Sequence, residues 1–336
     1  MLTTLPDTPE RSQHELVLQT TLGPALIAVK GYAAPEVAQA YTRARELCRQ
    51  VGETPQLFRG LWGLYAFYLL RAEPQTAREL GEQLLSLAQH VQVPAFLVEA
   101  HFALGNTLLW LGELASSRAH LAQGIALYGF LEQRATAFLL TGYDPGMALL
   151  SFMSHVLWYL GYPDQALQKS REAVTLAREL SHPYSLAFAL SFAARLHQFR
   201  RERQATQEQA EALRALASEQ GFAFFLSHAM ILLGWELTMQ EQGEERIAQI
   251  RQGIAAYRAT GAELERSHWL ALLAERCGQG GQVEAGLHVL AEALEAVHTT
   301  GEHFYEAEIY RLKGAILWQQ AAGREGLTRG DFLKIR

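Results

Sequence analysis

The chain has 336 residues, 49% of them hydrophobic, with 29 Lys and Arg against 35 Asp and Glu and a formal charge of −6. That apolar share is ample for a large core; the basic residues are scattered, Arg200-Arg201-Glu202-Arg203 being the densest run, and they make no basic face of the kind that binds nucleic acid. Two distant cysteines, Cys48 and Cys277, form no disulfide framework, the N-terminus lacks a basic-then-apolar leader, and no apolar stretch reaches the roughly 18 residues of a membrane span, so the expectation is a cytoplasmic protein that touches neither nucleic acid nor membrane.

Helical spacing dominates from the N-terminus onward, and alternating strand patterns are nearly absent. A first helix pair is predicted over 10–52, its second run (35–51) ending at Gly52. Pairs over 54–93 and 94–132 follow, with Pro94 where the chain turns into a new helix. An insertion occupies 133–143 and carries the turn signal Gly142-Tyr143-Asp144-Pro145-Gly146. Pairs over 144–182, 183–221, 222–261 and 262–301 come next, then a partial unit over 302–321. The apolar period stops there, and residues 322–336 are expected to be a disordered tail.

The units repeat at about forty residues. Ser154, Ala194, Gly234, Ala274 and Gly314 stand forty apart, and Gly105, Gly63 and Gly23 hold comparable places upstream. Leu150, Leu190, Met230, Leu270 and Tyr310 precede the small residues by four, and Leu157, His197, Leu237, Cys277 and Leu317 follow them by three, so all share one helix face. Helices cross near contact only where side chains are small. A second lattice, Gly221, Gly261 and Gly301, reads as left-handed caps at helix ends. The second helices carry one-sided stripes, such as Leu287, Leu290, Leu294 and Val297. The predicted fold is all-α, a right-handed superhelical solenoid of antiparallel helix pairs spanning 10–321, in which each pair buries its apolar side against the next.

The segment Leu104-Gly105-Asn106-Thr107-Leu108, with Gly112, resembles the first helix and turn of a tetratricopeptide repeat. Leu160-Gly161-Tyr162-Pro163-Asp164-Gln165-Ala166-Leu167 resembles the turn into its second helix, and Arg311-Leu312-Lys313-Gly314 the start of another unit. The unit length departs from the standard 34 residues; armadillo-type and HEAT-type units also reach about forty. Longer repeats of this kind are similar to the C-terminal helical regions of bacterial signal-transduction ATPases, nucleotide-cyclase-linked ATPases and regulators of the maltose-activator type. That resemblance implies a non-catalytic interaction or regulatory scaffold in a signal-transduction system. Its partner would be a protein or peptide segment, or an ATPase or nucleotide-cyclase domain of the same system. The alternative is a small-molecule-sensing regulatory domain, followed by an enzyme with an unrecognised site.

No catalytic motif supports the enzyme reading. There is no Gly-x-x-x-x-Gly-Lys-Ser/Thr loop and no His-Glu-x-x-His. Gly278-Gln279-Gly280-Gly281 reads as a turn between helices, and His298, His303 and the nearby Glu302, Glu306 and Glu308 as solvated helix-end residues. His155 and His197 lie near the packing seam and read as satisfied core histidines. No catalytic, cofactor or metal residue is assigned. Partner-binding candidates sit beside the small-residue lattice, on the first helices that line a solenoid's concave face: Trp62, Phe102, Asn106, Arg195, Trp235 and Arg311. The resemblance implies a peptide-backbone contact for Asn106. Later units hold Arg195, Trp235 and Glu275 at the equivalent place, so no asparagine ladder repeats.

Overall fold

Proline at the start and glycine past the end set many of the helix bounds. Pro74, Pro94, Pro145, Pro163 and Pro183 each stand in the first turn of a helix, where a missing N–H leaves no bond unmade. Gly221, Gly261 and Gly301 take φ of 71, 83 and 77°. The amides of Gly221 and Gly301 donate back to the Ala217 and Val297 carbonyls, satisfying acceptors a helix end would otherwise leave open.

The computed structural model describes residues 8–30, 34–51, 54–130, 142–236 and 243–325. Within them these signals give fifteen helices and no strand. They are α1 (Pro9–Lys30), α2 (Pro35–Val51), α3 (Thr54–Leu70), α4 (Pro74–Val91), α5 (Pro94–Trp110), α6 (Leu114–Gly129), α7 (Pro145–Tyr159), α8 (Pro163–Glu179), α9 (Pro183–Phe199), α10 (Arg203–Gln220), α11 (Ala223–Glu236), α12 (Gly243–Ala259), α13 (Arg266–Gln279), α14 (Val283–Thr300) and α15 (Glu306–Glu325). Gly52, Leu237, most of the insertion at 133–143 and residues 326–336 of the expected tail lie outside the described residues. The tail expectation needs a correction at its start. Helix α15 continues to Glu325, because Ala321 and Ala322 are the best of helix formers and Gly323 costs only about 1 kcal/mol inside a helix.

Each helix packs on the next, and the first helices α5, α7, α9 and α11 also touch in sequence, forming the inner layer of an all-α right-handed solenoid. Position in that layer decides burial. Inner helices are covered on every side: all of α5 from Val98 to Trp110 is buried. Outer helices bury one stripe, such as Thr206, Ala210, Leu213 and Ala217 on α10.

The small-residue lattice marks the close crossings. Ser154, Ala194 and Ala274 are fully buried. A Cβ on Gly234 would stand 2.6 Å from Ile250 Cγ1 and 3.2 Å from the Arg246 carbonyl oxygen on α12, and one on Gly105 would stand 2.7 Å from Leu121 on α6. The Tyr41 ring of α2 fills the space at both Gly23 and Gly63. Gly314 differs: nothing lies within 4 Å of its Cβ position, and no second helix of its unit is among the described residues. A Gly234→Val change should therefore cost about 1–3 kcal/mol by overpacking. Gly314→Ala should be neutral or stabilising by up to about 1 kcal/mol. Urea denaturation of both variants checks this, and equal effects at the two sites would remove the close-crossing account.

Candidate functional site

The superhelix curls until its last loops meet the ends of α3, α5 and α7. The carbonyl of Leu70, at the unsatisfied C-terminus of α3, accepts from the amides of Glu263 (2.8 Å) and Leu264 (3.1 Å), in the loop between α12 and α13. The next inner loop, between α14 and α15, brings Phe304 edge-on to Trp110 (4.8 Å) and near Tyr159 (6.0 Å), with His303 beside Gly112. Two of the chain's own loops thus cover much of the concave face.

Buried charge pins these loops. Arg195 of α9 pairs with Glu265, with side chains only 2% and 5% exposed. The guanidinium also lies 4.1 Å from the centre of the Phe192 ring. Burial raises the Glu265 carboxyl pKa despite the attraction of Arg195, so desolvation exceeds the pairing. Glu265 holds a left-handed backbone (φ 65°), an uncommon state for a residue with a Cβ. Its amide donates to Glu302 Oε2 at 2.8 Å. Glu302 is itself buried, and burial is the main cause that lifts its pKa to about 8. The reading of Glu302 as a solvated helix-end residue is therefore corrected: the irregular stretch before α15 turns inward.

Behind the loops lies a cavity of about 90 Å³. Its wall joins four of the sequence candidates, Trp62, Phe102, Asn106 and Arg195, to Tyr65, Tyr143, Phe188, Phe192 and other aromatic rings. Trp62, Phe102 and Arg195 are each 2% exposed and Asn106 6%. Asn106 Oδ1 accepts from Trp110 Nε1 at 2.6 Å, so the side chain implied for a peptide backbone is engaged within the core. At the polar end, Ser191 Oγ meets His228 Nδ1 at 2.8 Å, and burial, then Arg195, pushes the His228 pKa well down. Glu99 is wholly buried behind Trp62 and Tyr143, and burial, then Asp144, raises its pKa well above the ordinary range.

Trp235 and Arg311 belong to a second region. Trp235 is 6% exposed and donates through Nε1 to Glu275 Oε2 at 2.8 Å. Arg201 reaches the same carboxylate at 2.6 and 2.7 Å and Glu308 at 3.2 Å, and Arg311 holds Glu308 at 2.6 and 2.7 Å. Arg201, Glu308 and Arg311 edge an open cleft of about 660 Å³, with Trp158, Tyr159, Phe199 and Phe304 among its walls. Arg201 takes φ 59° at a turn where Gly161 and Gly281 stand forty before and eighty after it. A guanidinium is therefore kept where glycine would be less strained.

The core histidines have partners: His155 Nε2 meets the Phe192 carbonyl (3.0 Å), and His197 Nδ1 meets Glu202 (2.6 Å). Among the described residues no three His, Cys, Asp or Glu are grouped to hold a metal ion, and no helix is long and apolar enough to cross a membrane. Sequence reasoning missed Tyr143, Glu265 and Glu302. The repeat did carry a signal for two of them. Forty residues from Glu265 stand Phe225 and Tyr305, and forty before Glu302 stands Ala262, all buried. Both acids thus occupy core places.

No family model matches the chain. It is 21% identical over 320 residues to an uncharacterized protein of Rhizobium meliloti (strain 1021), a match covering 95% of this chain and 31% of that protein. The chain thus spans about a third of the length of this curated relative. Among solved structures it is similar to the apo form of RapI (TM-score 0.58, 11% identity, 84% of this chain and 98% of that one). A Rap protein complexed with competence and sporulation factor gives 0.55 at 14% identity, covering 94% of this chain and 99% of that one. A signal transduction ATPase with numerous domains and a tetratricopeptide repeat sensor, from Pyrococcus horikoshii, gives 0.52 at 10% identity, covering 94% of this chain and 45% of that one. These likenesses establish the fold: the chain is a tetratricopeptide-repeat-type superhelix, the architecture it shares with Rap proteins and with that signal-transduction ATPase.

Proposed function

We propose that the chain is a non-catalytic regulatory interaction module of a bacterial signal-transduction system, acting in the cytoplasm, and that it receives a partner segment in the cleft beside α15. The observation that carries this reading is the cleft itself, about 660 Å³ in volume and open, with aromatic walls and the ions Arg201, Glu308 and Arg311 at its edge. Aromatic and arginine side chains are the usual anchors of protein recognition. The concave interior, by contrast, is covered by the loops at 260–265 and 301–305, which leaves a space too small for a polypeptide. The partner in this reading is a segment of an ATPase or nucleotide-cyclase domain of the same system, and the fold shared with a signal-transduction ATPase supports that context.

Arg201→Gly supplies the test. Glycine suits the left-handed backbone at 201, so the variant loses the guanidinium without added backbone strain. Peptides selected by display against the parent chain should bind Arg201→Gly and Arg311→Ala about tenfold more weakly, a loss of about 1.4 kcal/mol. Trp62→Phe, inside the core, should leave their binding unchanged. Equal affinity for the parent and both arginine variants would exclude the cleft.

A further inference from the structure

We infer that the aromatic cavity behind the covering loops is a binding site for a neutral single-ring aromatic molecule carrying one carbonyl group. This site is separate from the cleft and does not depend on the partner reading.

Size limits the occupant first. About 90 Å³ corresponds to roughly six water-sized spheres, enough for one ring and a short substituent. The wall chemistry narrows it further. Trp62, Tyr65, Phe102, Phe152, Phe188 and Phe192 line the space, and such aromatic walls favour a flat apolar guest over a chain of waters.

One end of the cavity is polar. Arg195 Nε and His228 Nε2 are both buried without a hydrogen-bond partner, on side chains only 2% and 1% exposed. Both residues line the cavity. The guanidinium Nε–H is a donor. When the Ser191 hydroxyl donates to His228 Nδ1, the proton of the neutral ring sits on Nε2, which makes that nitrogen a second donor. Buried polar groups call for partners, and two donors call for an acceptor. A carbonyl oxygen with two lone pairs suits both.

Charge settles the rest of the class. Arg195 is already neutralised by Glu265, and among the described residues no second cation lines the cavity. A carboxylate guest would have to shed its water without a free counter-charge, whereas a neutral carbonyl meets no such cost. The site also bridges the two sides of the closure, because Leu69 and Leu70 of α3 line it together with Leu264 and Glu265 of the covering loop. An occupant touches both, so binding strengthens the contact between early and late repeats.

Three probes of one shape separate the possibilities: benzamide, benzoate and toluene. Calorimetric titration of the whole chain should give saturable one-to-one binding of benzamide, with benzoate and toluene each at least about tenfold weaker and a raised melting temperature for benzamide alone. Ala66 also lines the cavity, and an Ala66→Phe chain should lose benzamide binding while keeping its melting transition and its peptide binding at the cleft. His228→Phe keeps a ring but removes a donor, and should erase the advantage of benzamide over toluene. A parent chain that gives no saturable binding of benzamide holds only water there, and the inference fails. Equal affinity for all three probes, or unaltered binding in a folded Ala66→Phe chain, overturns it as well.

Discussion

An Arg195→Met chain should be about 3–5 kcal/mol less stable than the parent at pH 8, and the deficit should shrink at pH 5. Methionine preserves much of the contact with Phe192 but leaves the Glu265 carboxylate buried without its cation. Burial already raises the Glu265 pKa with Arg195 present, and removing the guanidinium raises it further. A carboxyl whose folded pKa stands above its unfolded value contributes stability that is complete below the unfolded pKa and is lost as pH rises through the folded one. The penalty therefore grows with pH. Removing both charges in Arg195→Met/Glu265→Gln should recover most of the loss, because desolvation outweighs attraction in this pair. Urea unfolding of the three chains at pH 5 and pH 8 is the measurement. A single-variant loss under about 1 kcal/mol at pH 8 would show the pair to be no more than a surface-like contact.

That pair also explains how much of the molecule could be read from its residues. The helix pairs were legible because burial on a solenoid repeats with the chain. Ala194, Gly234 and Ala274 mark one crossing after another, and Pro94, Pro183, Gly221 and Gly301 mark starts and stops by local backbone chemistry. The site candidates were legible as positions on the inner helices. Trp62, Phe102, Asn106 and Arg195 do converge, since each belongs to a first helix of its unit. What periodicity does not carry is the closure. The repeat describes each unit against its neighbours, whereas the contacts from Leu70 to Leu264 and from Trp110 to Phe304 join units almost two hundred residues apart. Superhelical curvature brings them together, through small rotations summed over many units. The open groove implied by the lattice alone is therefore largely occupied by the chain's own loops. Tyr143 was hidden for a related reason: it lies in an insertion, outside the repeat, yet its ring stands between Phe102 and Phe188 at 6.1 and 5.4 Å.

The same closure should give the protein an alkaline weakness, and Glu302→Gln should relieve it. Burial is the leading cause of the rise in the Glu302 pKa to about 8; the carboxylates of Glu265 and Glu263 add to it, and the Glu265 amide and Thr300 hydroxyl oppose it. Glu302 is thus protonated in the fold at neutral pH and ionised in the unfolded chain. Its contribution is complete below the unfolded pKa near 4.5 and is lost as pH rises to about 8. Buried His155, His228 and His268 act in the opposite direction. Their pKa values are pushed well down by burial, so their contribution is complete above about pH 6.5 and is lost as pH falls. Between pH 6.5 and 8 the unfolded histidines lose their remaining protons, which offsets part of the carboxyl loss to the same extent in parent and variant. Over that window Glu302 alone should cost the parent about 2 kcal/mol. The variant should be flatter by that amount, because glutamine still offers an oxygen to the Glu265 amide, now 2.8 Å from Glu302 Oε2, and carries no charge to desolvate. Glu99, also buried with a raised pKa, keeps a residual slope that Glu99→Gln should remove in the double variant. Denaturant midpoints taken at half-unit pH steps test this. An unchanged slope in Glu302→Gln would mean that the carboxyl reaches water at neutral pH and that the loop before α15 does not hold it inside.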